Sequence, residues 1–309
     1  MIEIFFKTLP FFALIGLGYG AGKTRFFPDE ATAWLTKFVF YFALSAMLFR
    51  FSSNLSLEEV FDLPFVLAYL CGTGAIYLLA TVIALIRRRG VEEAAVEAQC
   101  AVIGNVGFLG VPMLVLLMGD QAIGPVMLVL AVDLIVFGSL IVVLISGARD
   151  GRVSFRILRT VGLGLLKNPM IVSMSAGLIW SALHIPIPVP LNEFVTILGG
   201  AATPGALFAI GASLASKSAE RLIVAGWLSF AKLVLHPIAV AIAALVLFPV
   251  DTYAASVMIA AAALPVAGNV YILARHYGVA PHRVSASILI STALSIVTVS
   301  VIISWVSGL

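Results

Sequence analysis

Two stretches of this sequence place helix-breaking residues and a side-chain amide in the middle of an otherwise apolar run. The first is Ala101-Val-Ile-Gly-Asn-Val-Gly-Phe-Leu-Gly-Val-Pro112, and the second is Ala261-Ala-Ala-Leu-Pro-Val-Ala-Gly-Asn-Val270. Gly104, Gly107 and Gly110 loosen the backbone, and Pro112 removes a donor further on; Pro265 does the same in the second stretch. Asn105 and Asn269 each offer a donor and an acceptor, so each can replace lost backbone partners or bind a ligand's oxygens. A break also exposes the N-terminus of a half-helix, with free N–H groups and about half a positive charge. Such an end can hold a carboxylate without a buried Arg or Lys. Taken singly, either stretch reads equally as a kinked, glycine-rich helix interface. Taken together they favour the binding reading, because matched interruptions in two halves of a membrane chain mark a solute site.

A second group of residues has chemistry available at apolar depth. Asp133 sits centrally in Ala131-Val-Asp-Leu-Ile-Val-Phe137. An acid there is costly and faces an interior or a cavity. It is either a site for proton or sodium coupling, or a partner for Asn105, or a neutral acid hydrogen-bonded between helices. Lys232 and His236, four residues apart on one helix face, read as a snorkelling anchor and a residue of open role beside Pro237. Ser45 in Leu44-Ser-Ala-Met-Leu-Phe49 offers a hydroxyl to substrate or backbone. Pro204 in Thr203-Pro-Gly-Ala-Leu-Phe208 should kink its helix, and packing is the alternative for both. His184, His236, His276 and His282 are scattered, so no metal site, cofactor or catalytic constellation is implied. Cys71 and Cys100 read as small packing residues. No charged ring of the kind a channel needs is evident.

The elements that must position these groups are apolar helices in a bilayer. Hydrophobic residues make up 62% of the 309 and charged residues only 11%, with a mean hydropathy of +1.15; soluble domains carry roughly a quarter charged residues. No basic stripe with interleaved aromatics suggests nucleic acid. Ten apolar segments are predicted, at about 5–22, 33–50, 64–86, 95–118, 121–146, 168–184, 191–215, 222–248, 253–274 and 283–306. Lys23 and Arg25 follow the first segment rather than precede it, so it should remain as a helix. Fourteen of the 18 Lys and Arg residues fall after segments 1, 3, 5, 7 and 9, from Lys23 and Arg25 through Arg87–Arg89 to Arg275 and Arg283. The connection after segment 2 is acidic after Arg50, with Glu58, Glu59 and Asp62. The positive-inside rule then puts both termini on the periplasmic side of a bacterial inner membrane. Lys37 and Arg50 read as anchors, and Trp34 and Trp305 as interfacial belts. The connection 147–167, with Arg152, Arg156 and Arg159 among apolar residues, is either a helix on the inner leaflet or a solvated loop.

The two halves echo each other at an offset of 159 residues: Pro10 with Pro169, Gly18 with Gly177, Ala43 with Ala202, and Leu48-Phe49 with Leu207-Phe208. Five spans per copy is an odd number, so residues 1–146 and 168–309 should form repeats of opposite orientation around the linker. The expected fold is all-α, with ten transmembrane helices and crossed, broken segments 4 and 9.

These motifs resemble the auxin efflux carrier family. The likeness rests on Gly104-Asn105-Val-Gly-Phe-Leu-Gly-Val-Pro112, on Thr203-Pro-Gly-Ala-Leu-Phe208, on Ala263-Leu-Pro-Val-Ala-Gly-Asn269 and on the Leu-Phe motif of segment 2. It implies a fold similar to bile-acid symporters and sodium/proton antiporters. Segments 1, 2, 6 and 7 would form a scaffold, dimeric in some arrangements, and segments 3–5 and 8–10 a mobile unit. Asn105, Gly107, Pro112, Pro265 and Asn269 match the family's crossover positions. Ser45 departs from the pattern, which usually has proline there, and the long hydrophilic central loop of plant exporters is missing. The implied substrates are small organic anions: malate, malonate, other carboxylates or an auxin-like aromatic acid. An anion channel or a sodium-coupled symporter remains the alternative.

Overall fold

Hydrocarbon leaves a backbone no water to bond, so spanning segments must satisfy their own amides as helices. The computed structural model, which describes residues 2–55, 62–151, 155–215 and 222–308, is helical throughout. Among the described residues the only extended pairing is one antiparallel bridge, Gly104 with Val266. The all-α expectation therefore holds. Glu58, Glu59 and Arg152, and also Lys217 and Arg221 of the connection after segment 7, lie outside the described residues.

Thirteen helices organise the described chain. They are α1 Ile2–Lys23, α2 Asp29–Ser52, α3 Leu63–Ile86, α4 Val91–Val102, α5 Val106–Met118, α6 Asp120–Asp150, α7 Phe155–Lys167, α8 Pro169–Ala182, α9 Val189–Ala215, α10 Leu222–Leu247, α11 Thr252–Ala262, α12 Gly268–Tyr277 and α13 Pro281–Val306. Seven of these (α1, α2, α3, α6, α9, α10 and α13) are long and apolar enough to cross a membrane. Helices α7 and α8 together add an eighth candidate, bent by 67° between them. Predicted segments 4 and 9 each appear as two short helices, α4 with α5 and α11 with α12. Segment 9 extends beyond its predicted end, to Tyr277.

The breaks fall where the sequence withholds helix geometry. Helix α4 stops at Val102 and Ile103 turns extended, while Pro265 occupies the gap between α11 and α12. In α9 the helix is interrupted at Ala201, where Pro204 has no amide for the carbonyl a turn earlier. Several spans also carry single π turns, at Val39–Ala43, Val106–Gly110, Asp133–Phe137 and Ala231–Leu235.

Helix α1 packs along the second half of α9, and α8 along the second half of α2; α2 and α9 also touch each other. These contacts are very close. A Cβ added at Gly18 would lie 2.1 Å from the Phe208 carbonyl oxygen, and one at Gly177 would lie 2.6 Å from the Phe49 carbonyl oxygen. Gly177 stands 159 residues after Gly18, and Phe208 159 after Phe49, so a glycine meets a phenylalanine carbonyl twice at the same sequence offset, with the roles exchanged. The other helices gather around α3, α4, α10 and α13.

At one end of the bundle the connections after α3, α6 and α12 meet. Arg149 donates to Glu92 at 2.7 Å and to the Tyr277 carbonyl at 2.6 Å. Arg283, counted above as a loop residue, instead lies in the first turn of α13 and is only 6% exposed. It pairs with Glu93 at 3.1 Å and with Glu97, which also takes Arg87. Glu97 is a buried acid in α4 that the sequence reading passed over.

Candidate functional site

The two breaks satisfy each other. The Asn105 amide donates to the Pro265 carbonyl at 2.8 Å, and the Ala267 amide donates to the Ile103 carbonyl at 3.0 Å. Asn105 is the centre of an inverse γ-turn (φ −75°, ψ 53°), closed by the Val106 amide on the Gly104 carbonyl at 2.8 Å. The Val266 amide finds the Ser291 hydroxyl of α13 at 3.1 Å. So the freed backbone, a heavy cost in hydrocarbon, is met by backbone and by Ser291. Of the two uses open to the asparagine side chains, repairing the backbone is not the one they serve.

The oxygens of both side-chain amides are buried and have no hydrogen-bond partner. Buried polar atoms are nearly always partnered, so an unpaired pair at one place calls for an explanation. Both residues line one cavity of about 640 Å³, together with Gln99, Phe108, Asp133, Gly268, Tyr271 and Thr292. Helix α5 starts after Asn105 and α12 after Ala267, and neither start has a side-chain cap. Two helix N-termini, each with orphan amides and positive partial charge, thus begin beside the same space.

The opposite ends of the crossing face a buried amine. Helices α4 and α11 end here with orphan carbonyls and negative partial charge. Lys232 Nζ donates to the Ala262 carbonyl and lies 3.3 Å from where a Cβ on Gly104 would sit. Its Nζ is 3.1 Å from His236 Nδ1, and His236 Nε2 is 3.0 Å from the Thr73 hydroxyl. Lys232 is fully buried, so the snorkelling expectation is wrong: the amine turns inward, to the carbonyl end of a broken helix. The crossing therefore sorts polarity, with donor ends toward the cavity and acceptor ends toward the Lys232 amine.

Asp133, buried in α6, accepts from the Tyr69 hydroxyl at 2.8 Å. Its other carboxylate oxygen has no partner, and the residue borders the cavity. Its partner is thus Tyr69 rather than Asn105. Gly104, Gly107 and Pro265 are buried at the crossing. Gly107 leaves room for the Met170 side chain, which an added Cβ would meet at 2.5 Å. Pro112 is the second residue of the α stretch Val111–Met118, just after the π turn, and does not border the cavity. Neither do Ser45 and Pro204. The Ser45 hydroxyl donates to the Phe40 carbonyl at 3.2 Å, inside its own π turn, and Pro204 is exposed on the outside of α9. The structure does not bring either of them to the cavity that Asn105 and Asn269 line.

Sequence reasoning missed Tyr69, Gln99 and Thr292. One signal was available: single polar residues in long apolar runs are expensive and face inward. The π turns at Val106–Gly110, Asp133–Phe137 and Ala231–Leu235, which surround the polar groups, had no such signal.

Apolar helices that cross a bilayer, with two broken helices meeting beside a cavity, are the architecture of a membrane transporter. Residues 3–303 match the family described as membrane transport protein, and the chain belongs to that family, as its resemblance to auxin efflux carriers indicated. A protein of Rhizobium meliloti (strain 1021) with the name "Putative malonate transporter" is 33% identical over 97% of this chain and 95% of its own length. The "Uncharacterized transporter YfdV" of Escherichia coli (strain K12) is 26% identical over 94% of this chain and 93% of its own.

Proposed function

We propose that this transporter is a carrier of small organic anions, carboxylates above all, and that the substrate sits between the starts of α5 and α12. The observation that carries this reading is the pair of uncapped helix N-termini that begin beside one cavity, with Asn105 and Asn269, whose side-chain Nδ2 groups can donate, on its wall. Neutral amides and helix ends suit an anion, because they supply donors without a full desolvated charge. Lys37 and Lys167 border the same cavity farther out and suit a second carboxylate. The name of the Rhizobium relative makes malonate the first candidate.

Carriage follows from the grouping of helices. The cavity is bordered by α2, α8 and α9 of one group and by α4, α5, α6, α12 and α13 of the other, with α7 between the groups in the chain. Helices α1, α2, α8 and α9 serve as the scaffold, and a homodimer would form through it. The remaining spans slide as a unit, carrying the crossing from one side to the other. In this account residues 1–146 and 168–309 are inverted repeats with ten crossings. The exchanged Gly18–Phe208 and Gly177–Phe49 contacts support that two-fold relation. His276 and Tyr277 border the cavity, and Tyr277 meets Arg149, the partner of Glu92, at the end rich in arginine. By the positive-inside rule that end is cytoplasmic, the cavity opens inward, and both termini are periplasmic.

Asp133 is the proposed coupling site, for a proton in preference to sodium. One of its carboxylate oxygens accepts from Tyr69 of α3 and the other has no partner, whereas a sodium site needs several oxygen ligands. Counterflow of labelled malonate and other carboxylates in proteoliposomes tests the reading. A carrier gives saturable uptake accelerated by substrate on the far side; a channel gives a flux that does neither. Asp133→Asn should abolish the response to a pH gradient and spare counterflow. Strict sodium dependence, unchanged in that variant, would refute proton coupling.

A further inference from the structure

The link between α6 and α8 offers something the transport reading does not use. Helix α7 (Phe155–Lys167) lies at 67° to α8, and its faces are sharply divided. Ile157 is buried, and Thr160, Val161 and Gly164 on the same side border the cavity. On the opposite side Phe155 is 82% exposed and Leu166 74%, with Leu158 between them along the helix. At about 100° per residue, Arg156 and Arg159 project from the arc next to this apolar stripe.

Those arginines, like Arg88 and Arg275, stand apart from the paired arginines at the same end of the bundle. Arg87, Arg89, Arg149 and Arg283 each have a carboxylate within 4.0 Å. Arg156 and Arg159 are exposed and have no carboxylate partner among the described residues. An apolar stripe flanked by unpaired cations is the pattern of a helix lying in a bilayer interface. Its apolar side chains enter the acyl region, and its bases meet phosphate headgroups.

We infer that α7 is an anionic-lipid sensor at the cavity mouth: acidic phospholipid headgroups of the arginine-rich side bind Arg156 and Arg159 and hold the helix as a wall of the cavity. The inference rests on the proposed carrier function only for its consequence, that anionic lipid regulates access to the crossing. The lipid contact itself needs only a membrane. Each basic side chain near an anionic leaflet is worth about a fivefold bias, so two are worth roughly 25-fold in docking of α7. The bias should weaken as salt rises.

The test uses the full chain reconstituted in phosphatidylcholine vesicles, with and without phosphatidylglycerol. Hydrogen–deuterium exchange of the α7 amides reads docking, and malonate counterflow in the same vesicles reads function. Phosphatidylglycerol should slow α7 exchange by roughly 25-fold and raise counterflow several-fold in the wild type. Both effects should vanish in the double variant Arg156→Gln/Arg159→Gln, and soluble glycerol phosphate should reproduce neither. Equal protection in wild type and double variant, no protection in either, or protection by glycerol phosphate would each overturn the lipid site. Protection without counterflow of any carboxylate would leave the lipid site standing and overturn the carrier reading instead.

Discussion

Replacing Asn105 or Asn269 by Ala should separate binding from folding. If these side chains repaired the opened backbone, their loss would leave buried amides unpaired and cost stability. In the structure that repair is made by the Pro265 and Ile103 carbonyls, which neither substitution touches. The negative φ of Asn105 is open to alanine, and removing a buried, unpartnered oxygen removes a liability. The melting temperature in detergent without substrate should therefore change little, with a stability difference within about 1 kcal/mol. Substrate affinity is another matter. A hydrogen bond to a charged acceptor contributes about 1.5–3 kcal/mol, so each variant should bind its carboxylate about 10- to 150-fold more weakly. Calorimetric titration of the purified variants with the best counterflow substrate, beside a thermal melt, reads both quantities. Unchanged affinity with a large drop in stability would show that the side chains brace the crossing and bind nothing.

Three further outcomes are expected. Gly18→Ala and Gly177→Ala should each destabilise the protein by about 1–3 kcal/mol through overpacking, whereas Gly16→Ala, with nothing within 4 Å of its added Cβ, should be neutral in the same melt. Glu97→Ala strips the buried Arg283 of its closest carboxylate and should cost about 3–5 kcal/mol; Glu92→Ala, which breaks the more exposed pair with Arg149, should cost under about 1 kcal/mol. In a Cys71→Ser background, Gly90→Cys and Ala148→Cys should react with an impermeant thiol reagent from the cytoplasmic side and Asp120→Cys from the other. Reaction of all three from one side would overturn the orientation.

Much of this architecture could be read from apolar run length, because hydrocarbon permits few alternatives to a helix of about 20 residues. The breaks were visible too, since glycine, proline and asparagine at that depth are anomalous. What escaped notice was which polar residues meet across the fold. Lys232 looked like an anchor because it stands within a dozen residues of a span end, and only the approach of α11 shows its ammonium facing Ala262. Ser45 and Pro204 seemed equivalent to the other site residues because both fall in repeated motifs. Their positions on α2 and α9 turn them into the helix or outward, a matter of rotation that a weak repeat cannot specify. Glu97 was overlooked because it lies among other charges at the start of α4, where a surface location is the ordinary expectation; its burial depends on Arg283, 186 residues away.

The central claim is that substrate occupies the space between the two helix starts. A structure of the purified protein with its transported carboxylate bound tests this most directly. The account predicts ligand density within hydrogen-bond distance of Asn105 and Asn269, beside the first amides of α5 and α12. Density elsewhere, with both asparagines free of contact, would contradict it.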